Sequence, residues 1–268
     1  MRLLWAVLLA GCYAPVPPDG IACGEATVCP ESQFCAFGTC VTEPPACLPV
    51  EAGRGKLTIP ELAVAPVIDG ELGDWPTCFV TLDEMTAGLV RDLGAGGKYA
   101  PGRFSLASFD NRLYVAAELL SVQPLGEQPV PDIYLNSAIS VYVDASGDCD
   151  TARYDDDAAQ IVVDHANRTA AFQSGNGGIV TVRVDSASKV GASTFTIEMS
   201  VGPESLGSTS FAETIGFDIG LVGGDGEVMT SELVWFQACE APACECANGQ
   251  SAPFCDTRQF GTATFSRP

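Results

Sequence analysis

Apolar and polar residues alternate along most of the chain from Lys56 onward. In RLYVAAEL at 112–119 and AISVYVD at 138–144, every second residue is aliphatic, the pattern of a strand with one buried face. Further strands are predicted at 103–109, 159–164, 169–173, 178–184, 194–201, 214–221, 232–236 and 260–265. Helical periodicity is almost absent, apart from one turn at 203–207. About a dozen strands separated by Gly, Asp and Asn predict an all-β fold, an antiparallel β-sandwich over 56–268.

The N-terminus predicts export with a lipid anchor. Residues 1–11 contain a short apolar run, well below the roughly 20 residues that span a bilayer, and they are expected to be a signal peptide. Leu9-Ala10-Gly11-Cys12 resembles a bacterial lipobox, in which the Cys12 sulfur receives the lipid. The alternative is an ordinary export signal with Cys12 in a disulfide. The lipobox predicts a lipoprotein of the bacterial cell envelope, and Tyr13 after the cysteine favours the outer membrane or cell surface.

Three segments precede the predicted sandwich. Residues 12–22, rich in Pro, are expected to be a spacer, and residues 41–55, rich in Pro and Gly, a linker. The segment 23–40 is too short for an apolar core but holds four of the twelve cysteines of the chain, so it predicts a small disulfide-rich knot. These cysteines are Cys23, Cys29, Cys35 and Cys40. Zinc is the less favoured alternative, because thiolate sites usually contain close C-x2-C pairs.

Charge and motif content exclude several functions. The chain has 34 acidic and 13 basic residues and a formal charge of -21, which repels phosphate backbones, so no nucleic acid partner is predicted. The sequence contains no G-x-S-x-G, H-E-x-x-H or phosphate-binding loop. The single histidine, His165, is expected to be a satisfied surface or turn residue rather than a base. We therefore predict that the protein is not an enzyme, with glycoside hydrolysis as the least favoured alternative.

Three motifs in a fixed order resemble the family 9 carbohydrate-binding modules. They are I-D-G-x-L-x-D-W at 68–75, D-x-x-L-Y-V-A at 110–116, and I-E-M-S-V at 197–201 followed by a one-turn helix and I-G-F-D. The resemblance covers roughly residues 60 to 266 and implies a β-sandwich that binds sugars without catalysis. It also implies that Trp75 is a framework residue. Burial of a large indole supports that interpretation, with its N–H expected to find one acceptor.

The resemblance implies a sugar held between two aromatic rings. No pair of spare tryptophans exists here, and the candidate residues are Tyr99, Tyr134, Tyr142, Tyr154 and Trp235, with Phe104 and Phe172 as further rings. The sequence also has Ser137 and Ser140 where the family pattern commonly has acidic residues. A sandwich that has lost its sugar site and serves as a structural or protein-interaction lipoprotein is therefore the alternative.

An acidic loop, DASGDCDTARYDDD, is the candidate metal site. Calcium takes six to eight oxygen ligands, and alternate acidic residues in a loop can turn several carboxylates toward one centre. The predicted ligands are Asp144, Ser146, Asp148, Asp150 and Asp155. The loop departs from a helix-loop-helix calcium site at Cys149, where Gly is expected. The alternative is a solvated loop whose aspartates favour turns. Calcium is also a common structural ion in the family that the chain resembles.

These observations predict a cell-envelope lipoprotein whose β-sandwich binds polysaccharide. Its expected partners are carbohydrate and, through the lipid on Cys12, a membrane. The sequence predicts neither the sugar nor the number of subunits.

Overall fold

The structure, a computed structural model, describes residues 34–36, 39–41, 52–53, 55–93, 101–120, 125–148, 154–174, 178–236 and 260–266. The chain divides into two compact units, Met1–Ala46 and Cys47–Pro268. No helix within the described residues is both long enough and apolar enough to cross a membrane.

The described part of the first unit is a short hairpin. Strand β1 (Phe34–Ala36) pairs antiparallel with β2 (Thr39–Val41), and the register places Cys35 directly opposite Cys40. Cys12, Cys23 and Cys29 lie outside the described residues, so the lipid anchor and the disulfide knot stay predictions.

The second unit contains a larger and a smaller sheet. Within the described residues the larger sheet has ten strands, in the order β12-β11-β10-β9-β15-β17-β4-β3, with β16 joining β15 to β6. Its strands are β3 (Ala52–Gly53), β4 (Lys56–Pro60), β6 (Leu89–Asp92), β9 (Asn136–Asp144), β10 (Ala158–Asp164), β11 (Thr169–Ser174), β12 (Gly178–Val180), β15 (Thr214–Asp225), β16 (Met229–Val234) and β17 (Gly261–Ser266).

The smaller sheet has five strands within the same residues, in the order β13-β14-β8-β7-β5. They are β5 (Val80–Leu82), β7 (Gly102–Phe109), β8 (Arg112–Leu120), β13 (Val184–Val190) and β14 (Thr194–Val201). Three 3-10 turns accompany the strands: η1 (Leu72–Asp74), η2 (Asp132–Leu135) and η3 (Pro203–Leu206). The predicted turn at 203–207 is thus confirmed, and Gly207 ends it in the left-handed conformation (φ 85°).

The main core contains the aliphatic positions that the alternation predicts. From the larger sheet come Ile139, Val141, Val143, Ile215, Phe217, Ile219 and Leu221, and from the smaller sheet Leu113, Val115, Ala117, Leu119, Phe195, Ile197, Met199 and Val201. All of these side chains are fully buried. Burial of one large aliphatic or aromatic side chain stabilises the fold by about 1.5–3 kcal/mol. The all-β sandwich architecture is therefore confirmed.

The strands differ from the prediction in several features, and β4, β5 and β6 were not predicted at all. The larger sheet is mixed rather than antiparallel, because β17 pairs parallel with β4. The predicted strand at 178–184 is two strands: β12 ends at Val180 and β13 begins at Val184. Strand β13 is an edge strand with half-buried and exposed side chains, so it carries no apolar alternation that a sequence pattern could detect.

The backbone of the I-D-G motif is hydrogen-bonded to a buried carboxylate of β14. Glu198 Oε2 accepts hydrogen bonds from the backbone N–H groups of Asp69 (2.9 Å) and Gly70 (2.7 Å), and Thr196 Oγ1 donates to the Gly70 carbonyl. Gly70 has φ +87°, and an added Cβ would lie 3.2 Å from backbone and side-chain atoms of β13, so glycine suits the position on both counts. The motif and the I-E-M-S-V strand therefore belong to one structural unit.

Trp75 is a core residue, as predicted. Its side chain is 4% exposed and packs in a second cluster with Leu62, Ala107, Tyr114 and Ala116. The prediction that its N–H finds an acceptor is wrong, because Nε1 has no hydrogen-bond partner among the described residues. The indole is held by packing alone, which makes Trp75 a framework residue. Nearby, Cys78 is disulfide-bonded.

Candidate functional site

The candidate site is the face of the larger sheet that points away from the main core, called the outer face below. Because side chains alternate along a strand, the residues between Ile139, Val141 and Val143 of β9 point to this face. The register places Ser140 beside Val162 of β10 and Gly220 of β15, and Tyr142 beside Gln160 and Asp218. Gln160 lies beside Phe172 of β11, and Glu232 of β16 lies beside Arg91 of β6.

Hydrogen bonds join these outer-face side chains into a polar row. Gln160 Nε2 donates to Ser140 Oγ at 3.3 Å, and the Tyr142 hydroxyl donates to Glu232 Oε1 at 3.3 Å. Arg91 Nη1 forms an ion pair with Glu232 Oε2 at 2.7 Å. The Glu232 side chain is only 1% exposed, so the guanidinium provides the opposite charge that a buried carboxylate needs. Gln160 and Arg91 are partly exposed and can bind a ligand directly, whereas Ser140, Tyr142 and Glu232 are almost completely covered and hold them in place.

Asp218 is a fully buried carboxyl group beside this row. Its Oδ1 accepts the N–H groups of Ile219 (2.7 Å) and Phe236 (3.1 Å), while Oδ2 has no partner among the described residues. Burial raises the pKa of Asp218 well above its ordinary value, and the charge of Glu232 acts in the same direction against the two N–H bonds. A protonated Asp218 can donate a hydrogen bond.

An aromatic pair lies next to the polar row. Tyr134, in η2, and Phe172 pack edge to face with ring centroids 6.4 Å apart, and both side chains are half-buried. They cover an apolar cluster on the outer face made of Ile133, Ala138, Val162, Ala170, Val222 and Met229. The outer face therefore combines aromatic surface with hydrogen-bonding groups, the two features that a sugar requires.

The other predicted sugar-binding aromatics lie elsewhere. Tyr142 is fully buried, and both Tyr142 and Tyr154 pack against Phe260, with ring centroids 5.9 and 5.8 Å away. Trp235 belongs to the main core, where it contacts Phe104 and Phe217, and Tyr99 lies outside the described residues. Among the described candidates, the structure brings only Tyr134 and Phe172 together as a half-buried pair.

Four of the five predicted calcium ligands, Asp144, Ser146, Asp148 and Asp155, lie within the described residues. Asp144 is buried, and its Oδ1 accepts the Ser146 hydroxyl (3.0 Å) and the Gly147 N–H (2.9 Å), which stabilises the turn after β9. The pKa of Asp155 is raised to about 6 by burial, then by a hydrogen bond with Asp157 and the charges of Asp157 and Asp148. The carboxylates of Asp148, Asp155 and Asp157 suit a hard cation chemically. Within the described residues, however, no group of three or more His, Cys, Asp or Glu side chains could hold a metal ion. Asp150 lies outside these residues.

His165 lies in the turn after β10 and is buried, with its ring edge-on to Phe195. Its Nδ1 has no partner among the described residues, so the expectation of a satisfied histidine is wrong.

Residues 68–267 match the carbohydrate family 9 binding domain-like family. The chain belongs to this family. A search of curated proteins found no significant match. The family 9-like sandwich is similar to a family 9 carbohydrate-binding module from Caldicellulosiruptor kristjanssonii in complex with cellotriose, at 16% identity and a TM-score of 0.56, covering 80% of this chain and 94% of that one. A glucose complex of a family 9 module from the same organism gives 15% identity and a TM-score of 0.55, covering 80% and 96%.

A candidate carbohydrate-binding protein from Bacteroides uniformis is similar at 14% identity and a TM-score of 0.56, covering 80% of this chain and all (100%) of that one. At these identities the likeness establishes the fold of the family 9-like domain.

Sequence reasoning missed the charged part of the outer face. Arg91 and Glu232 are 141 residues apart in sequence, and nothing local marks them as partners. One signal was present: Glu232 is the charged residue of the largely buried strand β16, MTSELV, and a buried charged residue usually has a partner.

Proposed function

We propose that the protein is a non-catalytic carbohydrate-binding lipoprotein of the bacterial cell envelope, which binds polysaccharide on the outer face of the larger sheet. The observation that carries this proposal is the position of the half-buried Tyr134–Phe172 pair beside Gln160 and Ser140. An aromatic ring can stack on the apolar face of a sugar while neighbouring amide and hydroxyl groups bind its hydroxyls. Membership in the carbohydrate family 9 binding domain-like family supports the same role.

Soluble β-glucan, xylan and mannan are suitable first ligands, because similar solved modules hold cellotriose and glucose. We would run the full chain with Cys12→Ser, which blocks lipidation, in native gels that contain each polysaccharide. Retardation in one gel is expected, and Tyr134→Ala and Phe172→Ala should abolish it. Phe79→Ala is the matched control, since it removes a half-buried ring from a different part of the fold.

The alternative is a structural or protein-interaction lipoprotein that has lost sugar binding. It is favoured by the burial of the polar row, since Ser140, Tyr142 and Glu232 are almost completely covered. A folded protein that migrates normally in every polysaccharide gel would support this alternative. Release of reducing ends from any of the polysaccharides would instead identify a hydrolase.

The lipid anchor and calcium are separate parts of the proposal. The lipobox supports attachment of lipid to Cys12, so cells fed a labelled fatty acid should label the protein but not its Cys12→Ser variant. The alternate acidic residues of the loop DASGDCDTARYDDD support a cation there, because several carboxylates can turn toward one centre. A rise in the melting temperature with calcium, reversed by chelator and absent in Asp155→Asn, is the expected result. An unchanged melting temperature would argue for a solvated loop.

A further inference from the structure

A second concave site lies at the end of the β7–β8 hairpin. It is a cavity of about 350 Å³, lined by Glu61, Ser108, Asp110, Asn111, Phe211 and Phe265. None of these residues belongs to the outer-face polar row or to the Tyr134–Phe172 pair. Its volume is near the lower limit for small-molecule pockets, which suits one monosaccharide unit.

Backbone geometry fixes the walls of this cavity. Asp110 and Asn111 form the two-residue turn between β7 and β8, both with positive φ (47° and 60°), conformations that Asp and Asn tolerate. Asn111 Oδ1 accepts the Phe211 N–H at 3.3 Å, which joins the turn to the aromatic wall. The Phe265 N–H donates to the Glu213 carbonyl at 3.0 Å. The site is thus formed before a ligand arrives.

The aromatic wall consists of Phe211 and Phe265. Their ring centroids are 5.6 Å apart with an interplanar angle of 32°, and Phe265 is only half-buried. Exposed ring surface in a cavity can accept the apolar face of a sugar or an adjacent cation.

Two acidic side chains, Glu61 and Asp110, form part of the polar lining. Glu61 and Asp110 are both exposed, and neither forms an ion pair with any described residue. Among the residues that the structure describes, no Lys, Arg or His lines the cavity. The Asn111 side-chain NH2 makes no hydrogen bond to the described residues and can donate to a hydroxyl, whereas the Ser108 hydroxyl already donates to the Pro60 carbonyl.

We propose that this cavity binds an amino sugar through its protonated amine. The ammonium group pairs with Asp110 and Glu61, the sugar ring packs on Phe265, and Asn111 donates to a ring hydroxyl. Aromatic faces and carboxylates both favour a cation, and their combination selects an organic cation over a metal ion, which would require more oxygen ligands. An anionic sugar would be repelled by the two carboxylates.

Three sugars that differ only at one substituent test the proposal by titration calorimetry: glucosamine, N-acetylglucosamine and glucose. We expect glucosamine to bind at least about tenfold more tightly than the two neutral sugars, with an affinity that falls as salt is added. Asp110→Asn and Glu61→Gln should each weaken glucosamine binding about tenfold, since each removes one charge-assisted hydrogen bond. Asn suits the positive φ at 110, so that variant should fold normally.

Two controls separate this site from the outer face. Glu84→Gln removes an exposed carboxylate that does not line the cavity, and it should leave glucosamine binding unchanged. Tyr134→Ala, which tests the polysaccharide site, should also leave it unchanged. Equal affinity for all three sugars, no binding of glucosamine, or binding that is insensitive to Asp110→Asn and Glu61→Gln would overturn the proposal.

Discussion

Replacement of Trp75 by alanine tests whether the motif that identifies the family is structural. The indole is 4% exposed and packs against Leu62, Tyr114 and two alanines, so Trp75→Ala leaves a large cavity in the second cluster. Such truncations cost about 3–5 kcal/mol. In a unit of this size, each kcal/mol lowers the melting temperature by about 2–4 °C, so a fall of about 6–20 °C is expected. Polysaccharide retardation measured well below that temperature should not change.

Trp75→Phe provides the matched comparison. The indole N–H has no acceptor among the described residues, so the phenyl ring loses packing area but no hydrogen bond. We expect it to cost roughly half as much as Trp75→Ala, or less. The structural interpretation fails if Trp75→Ala melts near the parent temperature yet no longer binds polysaccharide. A loss for Trp75→Phe equal to that for Trp75→Ala would contradict the packing explanation, because the phenyl ring keeps much of the buried area that alanine removes.

Three further predictions concern buried charge. Arg91→Ala should cost about 3–5 kcal/mol in urea unfolding, because it leaves the Glu232 carboxylate buried without its cation, and adding Glu232→Gln should recover much of the loss. Because burial raises the pKa of Asp218, this carboxyl group stays protonated in the native state above pH 3.8, where it ionises in the unfolded state. The free energy of unfolding therefore falls as the pH rises from 3.8 toward the native pKa. Thermal melts of Asp218→Asn should show a shallower fall with pH and, at pH 8, a higher melting temperature than the parent protein. Glu198→Ala should cost about 3 kcal/mol or more, since two backbone N–H groups lose a charged acceptor, and unchanged unfolding curves would refute this role.

The fold was largely predictable from local pattern. Strands β8, β9, β14 and β15 bury the side chains that their alternation predicts, because the two faces of a strand are set by adjacent residues. Strand β13 could not be found this way, because an edge strand with few buried side chains needs no alternation.

The candidate site was much less predictable. Among six described aromatic candidates, only Tyr134 and Phe172 meet as a half-buried pair on the outer face, and composition gave no means of choosing them. Exposure of a ring depends on what covers it, and the covering residues come from distant parts of the chain. The ion pair of Arg91 with Glu232 and the cavity at Asp110 likewise depend on strands that are far apart in sequence.

The all-β class, the inward faces of the main strands and, through three ordered motifs, the family 9-like domain could be predicted from the chain, because each depends on spacing between near neighbours. The parallel pairing of β17 with β4 could not be predicted in this way. Nor could the burial of Trp235 beside a half-buried Tyr134, or the position of Glu61 and Asp110 in one cavity. These features arise from the register between strands and from the packing of the two sheets, which no local pattern specifies.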